Sequence, residues 1–97
     1  MAEITWTEEA ERWLNSIFEF IAEENPAAAT KTALGIYERA QVLKEFPHLG
    51  QRYSPSTRPV RLLIYGHYRI AYLVKPDGNV DILGVFHGAL DIAKYLL

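Results

Sequence analysis

Apolar and polar residues alternate with a period of two over much of the second half of the chain. Residues 58–88 read RPVRLLIYGHYRIAYLVKPDGNVDILGVFHG and are rich in Val, Ile, Leu and Tyr, as strands commonly are. Tyr65-Gly66 and residues 75–79, which include a proline and a glycine, are typical of chain reversals. The pattern therefore predicts three consecutive antiparallel strands over residues 58–65, 67–74 and 80–87.

Alternation also divides the side chains of these strands between two faces of the sheet. The even-numbered set is almost wholly apolar and is predicted to form the core face: Val60, Leu62, Ile64, Tyr68, Ile70, Tyr72, Val74, Val80, Ile82, Gly84 and Phe86. If both hairpins pair odd-numbered with odd-numbered residues, two arginines and two histidines lie together on the other face: Arg61, His67, Arg69 and His87. That face is the predicted working surface, unless a β-bulge at Gly84 or in the second turn moves one of its members.

The first half of the chain shows a helical period instead. Residues 3–6 predict one short strand, and Thr7 is a suitable N-cap for a helix over residues 8–24. Asn25-Pro26 ends this helix and begins a second, which runs to about Phe46, so the two helices form an antiparallel hairpin. The predicted buried residues are Ala10, Trp13, Leu14, Ile17, Phe18 and Ile21 in the first helix, and Ala29, Ala33, Ile36, Tyr37, Ala40 and Leu43 in the second.

Two further segments complete the predicted fold. Residues 48–57 contain glycine, proline, serine and threonine and predict an irregular loop that carries Arg52. Residues 89–97 predict a short C-terminal helix. The chain is therefore expected to form one α+β domain over residues 1–97, with the order β-α-α-β-β-β plus a C-terminal helix, in which a helical hairpin packs on a small antiparallel sheet.

Composition excludes several classes of protein. The 97 residues include no cysteine, so disulfide bonds and a thiol nucleophile are excluded. No apolar run is long enough to cross a bilayer, and we predict a cytoplasmic protein with no membrane partner. His48, His67 and His87 follow no known metal-binding spacing, and the glycines are too scattered to form a phosphate loop. We therefore predict neither a metal nor a cofactor.

Charge is distributed unevenly along the chain. The net charge is −2, which argues against general nucleic-acid binding. Residues 1–46 carry nine acidic and four basic residues, whereas residues 47–97 carry three acidic and six basic residues. An acidic helical layer behind a mildly basic sheet suits an anionic partner at the sheet, although solvation of the helices by glutamate explains the first half equally well.

Four stretches together resemble one known family. They are EEAERWLNSIFEFIAEENPAAA, VLKEFPHLGQR, HYRIAYLV and VDILGVFHGALDIAKYL. In this order they cover nearly the whole chain and resemble toxins of the RelE/ParE superfamily, which belong to bacterial type II toxin–antitoxin modules. The resemblance implies the fold predicted above, growth inhibition and plasmid stabilisation. It also implies a cognate antitoxin that neutralises the chain and links it indirectly to operator DNA.

The superfamily divides in mechanism. RelE-like members enter the ribosomal A site and cut mRNA, and ParE-like members inhibit DNA gyrase without nuclease activity. Cleavage of RNA requires a base, an acid and cations around one phosphate. For a RelE-like chain the resemblance implies that Arg69 and His87 are catalytic, with Arg61 as a second phosphate contact. In the alternative, His87 in the His-Gly at the end of the strand only caps the turn.

Three features favour the ParE-like mechanism. The chain is net acidic, whereas docking onto a ribosome is docking onto phosphate. The loop after the second helix carries Arg52 without a lysine cluster, and the ending HGALDI is nearer to ParE-like sequences. The predicted function is the toxin of a type II toxin–antitoxin module, with gyrase as the favoured target. The alternatives are a ribosome-dependent mRNA endoribonuclease and a non-toxic co-repressor that only binds antitoxin.

Overall fold

Two helices pack on one side of a five-stranded sheet in the computed structural model, which describes residues 1–53, 57–88 and 92–96. The strands are β1 (Ile4–Trp6), β2 (Gln51–Arg52), β3 (Val60–Tyr65), β4 (Tyr68–Val74) and β5 (Val80–His87). The helices are α1 (Glu8–Ala22), α2 (Pro26–Gln41) with a 3₁₀ turn at Val42–Lys44, and a single turn α3 (Ala93–Leu96). The predicted α+β fold is confirmed. None of the described helices has the length and apolar character needed to cross a membrane.

The sheet is mixed rather than wholly antiparallel. Its order is β1-β5-β4-β3-β2, and β1 runs parallel to β5 while the other neighbours are antiparallel. Strand β2 lies within the segment predicted to be an irregular loop, where it pairs Gln51 with Leu62 and Arg52 with Arg61. Two residues are too few to show alternation, so this edge strand has no signature in the sequence.

Both predicted helix caps are confirmed. The Thr7 hydroxyl accepts a hydrogen bond from the Ala10 amide at 3.1 Å, and the Asn25 side chain accepts one from the Ala28 amide at 3.0 Å. Pro26 occupies the first turn of α2, where its missing amide hydrogen costs nothing. The second helix ends at Gln41, earlier than predicted, because the chain tightens into the 3₁₀ turn at Val42–Lys44.

The main core lies between the helical hairpin and the sheet. Its buried members are Ala10, Ile36, Ala40, Leu43, Leu63, Ile70, Tyr72, Val80, Ile82 and Val85. Two predicted core residues are instead on the surface, since Phe18 is 36% exposed and Tyr37 is 46% exposed. Tyr37 stacks on Trp6 with ring centroids 6.0 Å apart. An aromatic residue at the margin of a helical stripe can thus pack along one side only.

A second, smaller core covers the other face of the sheet. Val60, Ala71 and Phe86 are buried there, packed against the partly buried Trp13, Tyr53, Leu62, Leu73, Leu83 and Ile92. Trp13 of α1 contacts both cores. The prediction that the even-numbered residues form one core face is therefore wrong, because they are divided between the two sides of the sheet.

The first hairpin accounts for half of this error. Tyr65 pairs with Tyr68, so Gly66-His67 is a two-residue turn, and Gly66 adopts the positive φ of 56° that such turns commonly require. A two-residue turn pairs residue i with residue i+3, and an odd-numbered residue then faces an even-numbered one. Odd residues of β3 consequently share a face with even residues of β4.

A β-bulge in the second hairpin accounts for the other half. Val74 pairs with Val80 and Tyr72 with Ile82, but Ala71 pairs with Gly84, which leaves Leu83 as an extra residue. The bulge lies next to Gly84, one of the two places where the sequence allowed for one. A Cβ on Gly84 would lie 2.6 Å from Cζ of Phe86, so the ring of Phe86 requires glycine at this position.

Substitution of Gly50 is expected to destabilise the fold. A Cβ there would lie 2.7 Å from the ring of the buried Tyr72 and 2.8 Å from the backbone oxygen of Leu62, so Gly50→Ala should cost about 1–3 kcal/mol. In the control Gly35→Ala, the nearest atoms all belong to the far end of the partly buried Tyr65 side chain, and none belongs to the backbone, so a smaller loss is expected. Thermal unfolding measures both variants. Equal losses of stability would contradict the assigned packing of the loop.

The described part of the C-terminal segment is short. The turn Ala93–Leu96 places Tyr95 edge-on to Trp13 at 5.0 Å and stacked on Phe86 at 5.7 Å. Most of the start of the predicted helix, residues 89–91, and its last residue, 97, lie outside the described residues.

Candidate functional site

The three residues predicted to share a working face are divided between the two sides of the sheet. Arg61 lies opposite Tyr72 and His87 lies opposite Tyr68, which places both on the helix side. Arg69 lies opposite Ile64 on one side and Phe86 on the other, on the face of the smaller core. The predicted shared face is wrong because the two-residue turn moves Arg61 and the bulge moves His87 relative to Arg69.

Arg61 holds the loop that follows α2. Its Nη1 donates to the backbone oxygen of Gly50 at 2.8 Å and to that of His48 at 3.3 Å. The same loop is also held by the core, since the Gly50 amide donates a hydrogen bond to the buried Tyr72 hydroxyl at 2.8 Å. Burial raises the pKa of Tyr72 above its usual value, which keeps the phenol neutral as an acceptor. Arg61 therefore anchors this loop. It lies near the start of β3, whereas the turn that holds Arg69 follows the end of β3.

Arg69 is built into the first hairpin turn. Its Nη1 donates to the backbone oxygens of Tyr68 at 3.1 Å and Gly66 at 3.3 Å. Gly88 lies beside the guanidinium, where a Cβ would be 3.4 Å from Nη2, and its amide donates to the His67 backbone oxygen at 2.7 Å. Arg69 thus links the turn to the end of β5, and its directly paired neighbours in the sheet are apolar.

His87 stands at the exposed end of β5 in a small cluster of rings. Its imidazole stacks on that of His67 with centroids 6.1 Å apart and planes 21° apart. The ring of Tyr68 meets His87 edge-on at 5.8 Å. The alternation pattern assigns both histidines to the working face but does not predict that their rings stack. The register explains the pairing, because His67 belongs to the turn next to Tyr68, which faces His87 across the strands.

An apolar groove of about 500 Å³ begins at this ring cluster and runs along α1. Its lining residues come from one helix and two strands: Trp13, Ser16, Ile17, Phe20, Tyr68, Val85 and His87. Phe20 is 77% exposed, although a phenyl ring in water is unfavourable. We refer to this feature as the α1 groove. Large contiguous apolar surfaces of this kind commonly mark interaction sites.

A free strand edge adjoins the α1 groove. Strand β1 pairs only with residues 80–82 of β5, so within the described ranges no strand lies beside residues 83–86 on that side. An unpaired edge offers backbone amides and carbonyls to another chain. The apolar groove thus lies next to a strand edge that extends beyond β1.

Ser16 and Phe20 of the groove were not identified from the sequence. Trp13, Ile17 and Phe20 are spaced as i, i+4 and i+7, which places them on one face of a helix. The signal was therefore present in the sequence, but nothing in the pattern distinguished a stripe facing the core from one facing a partner. Within the described ranges no three His, Asp or Glu side chains are close enough to hold a metal ion.

Known proteins resemble this chain in both sequence and fold. The family model described as "ParE toxin of type II toxin-antitoxin system, parDE" matches residues 4–92. The protein Toxin RelE2 from Caulobacter vibrioides is 34% identical over 89 residues, which cover 92% of this chain and 98% of that protein. The two names point to the two branches of one superfamily.

Two solved structures share the architecture. The chromosomal ParDE TA system from P. aeruginosa contains a chain that matches with a TM-score of 0.73 and 25% identity, covering 90% of this chain and 96% of that one. A chain of the toxin-antitoxin complex RelBE2 from Mycobacterium tuberculosis matches with a TM-score of 0.59 and 24% identity, over 89% and 96% of the two chains. This second likeness is evidence for the fold alone.

Proposed function

This chain belongs to the ParE toxin family of type II toxin–antitoxin systems, and from that membership we propose that it inhibits DNA gyrase. The family model spans residues 4–92, which include both helices of the hairpin and all five strands. A gyrase inhibitor of this kind acts by binding, so its activity depends on surface shape and charge, and no proton transfer or bond cleavage by the chain is required.

The observation that carries the proposal is the separation of Arg61, Arg69 and His87. RNA cleavage needs an acid, a base and cationic groups within hydrogen-bonding reach of a single phosphate. Arg61 donates to the loop after α2, whereas Arg69 donates to the first hairpin turn from the opposite face. An arrangement that divides these groups supports binding over catalysis.

Ribosome-dependent mRNA cleavage is the second candidate. The relative named Toxin RelE2, at 34% identity, favours it, and so does the location of Arg69, His67 and His87 at one end of the sheet. Cleavage would then depend on Arg69 and His87 alone, without Arg61. Growth inhibition on induced expression would distinguish either toxin from the non-toxic co-repressor.

We also propose that a cognate antitoxin covers the α1 groove. The structural neighbour from P. aeruginosa is a ParDE TA system. The groove provides an apolar channel for an amphipathic helix, and the adjoining edge of β5 offers backbone hydrogen bonds to an extended segment. Operator DNA would be contacted through the antitoxin.

Phe20→Asp is expected to weaken antitoxin binding strongly. An aromatic ring in an apolar groove is typical of residues whose truncation costs about 2 kcal/mol or more, which is roughly thirtyfold in Kd. Because Phe20 is 77% exposed, its replacement should leave the fold intact. Titration calorimetry with the antitoxin encoded beside the toxin measures the effect.

Phe46→Asp is the matched control, because Phe46 is also exposed, at 58%, but lies after the 3₁₀ turn outside the groove. It should bind antitoxin with the affinity of the unmodified chain. Equal weakening by the two variants, or full affinity of Phe20→Asp, would exclude the α1 groove as the antitoxin site.

A further inference from the structure

The C-terminal end of α1 carries acidic residues that have no basic partner. Between Arg12 and Lys31 the sequence contains three glutamates, Glu19, Glu23 and Glu24, and no lysine, arginine or histidine. Within the described ranges none of these three glutamates forms an ion pair. The negative charge at this end of the helix is therefore not compensated by any side chain of the described chain.

Acidic residues at this position oppose the stability of the helix. The C-terminus of a helix is the negative end of its dipole and favours cations, but the last turn of α1 contains no basic residue. Glu19 and Glu23 are also four positions apart, where like charges repel each other. The N-terminus of α2, which begins at Pro26, offsets part of this cost through its own dipole. The folding of α1 alone therefore does not explain these glutamates.

Two of the glutamates border the α1 groove. Ser16 and Phe20 line the groove, and Glu19 and Glu23 each follow one of them by three positions. Residues three positions apart are neighbours on a helix surface, and Glu23 still has helical backbone angles, with φ −56° and ψ −36°. Both glutamates are exposed. The groove is therefore apolar inside and acidic along its flank at the C-terminal end of α1.

We propose that the partner segment in the α1 groove is an amphipathic helix with lysine or arginine beside its apolar stripe, where it meets Glu19 and Glu23. This inference rests on the proposed binding of antitoxin in the groove. The apolar stripe covers Phe20, and the cations complement the uncompensated carboxylates. A second copy of α1 is a poorer occupant, because it brings four glutamates and one arginine of its own.

Titration calorimetry with the antitoxin encoded beside the toxin tests this charge complementarity. The double variant Glu19→Gln, Glu23→Gln should weaken binding about three- to tenfold, because it removes two exposed ion pairs that each contribute modestly. The affinity of the unmodified 97-residue chain should fall more steeply with salt than that of the variant. The Tm of the free variant should not fall, because neutral side chains relieve the repulsion at the end of α1. Weaker binding then cannot be attributed to unfolding.

The double variant Glu38→Gln, Glu45→Gln is the matched control, because it removes the same charge from exposed positions outside the groove. It should keep the affinity and salt dependence of the unmodified chain. Equal weakening by the two double variants would indicate a general charge effect and overturn the proposal. Undiminished binding by the Glu19 and Glu23 variant, while Phe20→Asp binds weakly, would reject the basic segment but retain the groove as the antitoxin site. Full affinity of Phe20→Asp would reject the groove and the basic segment together.

Discussion

Phe86→Ala is expected to destabilise the chain by about 3–5 kcal/mol, the usual cost of removing a buried phenylalanine side chain. Phe86 is 1% exposed. Its ring centroid lies 4.7 Å from that of Trp13 and 5.7 Å from that of Tyr95. A small domain has a total stability of roughly 5–15 kcal/mol, so much of that stability would be lost. The reason is that Phe86 is central to the smaller core.

Urea denaturation followed by tryptophan fluorescence measures this effect, and Trp13 reports on the site directly. Phe20→Ala serves as the control, because Phe20 is 77% exposed and its truncation should change stability by less than about 1 kcal/mol. A loss of that small size in Phe86→Ala would mean that the smaller core contributes little to the fold. The face that carries Arg69 would then be an open surface.

The smaller core also bears on function. A face that binds RNA by stacking needs exposed aromatic rings, but the face that carries Arg69 buries Phe86 and packs it against α1 and Tyr95. The face that carries Arg69 is thus largely occupied by packing. An open apolar groove lies instead on the helix side, along α1.

Local features were predictable because their causes are local. Thr7 and Asn25 cap helices through hydrogen bonds to residues three positions later, and Gly66 supplies the positive φ of the first hairpin turn. Such features depend on a few neighbouring residues, which the sequence displays directly. The helical hairpin and the three long strands follow from them.

The relation between strands was harder to predict, because alternation fixes the faces within one strand only. The length of the connecting turn decides which residues of two neighbouring strands share a face. The two-residue turn at Gly66-His67 places odd-numbered residues of β3 on the same face as even-numbered residues of β4. One extra residue, Leu83, shifts the pairing again. Arg61 and His87 therefore do not share a face with Arg69. The turn length shifts Arg61 by one residue, and the bulge shifts His87 by one residue. The neighbouring rings of His67 and His87 follow from the same register.

The choice of target gives the largest expected effect on activity. Under the proposed function, the purified chain should inhibit supercoiling by DNA gyrase and leave mRNA intact on translating ribosomes. Arg69→Ala and His87→Gln should then change gyrase inhibition only as far as they change packing, because no proton is transferred. Running the supercoiling assay and a purified translation reaction side by side measures both outcomes on one preparation.

The RelE-like mechanism predicts the opposite pattern for the same variants. A cation that stabilises developing charge on the scissile phosphate typically contributes about a hundred- to a thousandfold in rate, so Arg69→Ala should nearly abolish cleavage. His87→Gln should slow cleavage and alter its pH profile, because imidazole transfers protons near neutral pH. Arg39→Ala is a suitable control, since Arg39 also donates to a backbone oxygen, that of Ile64 at 3.2 Å, but reaches it from α2.

These outcomes separate the structural role of Arg69 from a catalytic one. Arg69 donates to the backbone oxygens of Tyr68 and Gly66, so Arg69→Ala should lower thermal stability modestly under either mechanism, by about 1–3 kcal/mol if these acceptors lose their donor. If Arg69 is only structural, Arg69→Ala should weaken gyrase inhibition and antitoxin binding in proportion to the folded fraction. If Arg69 is catalytic, Arg69→Ala should remove mRNA cleavage while antitoxin binding stays intact. Ribosome-dependent cleavage that disappears in Arg69→Ala but persists in Arg39→Ala, with supercoiling unaffected throughout, would reject gyrase as the target.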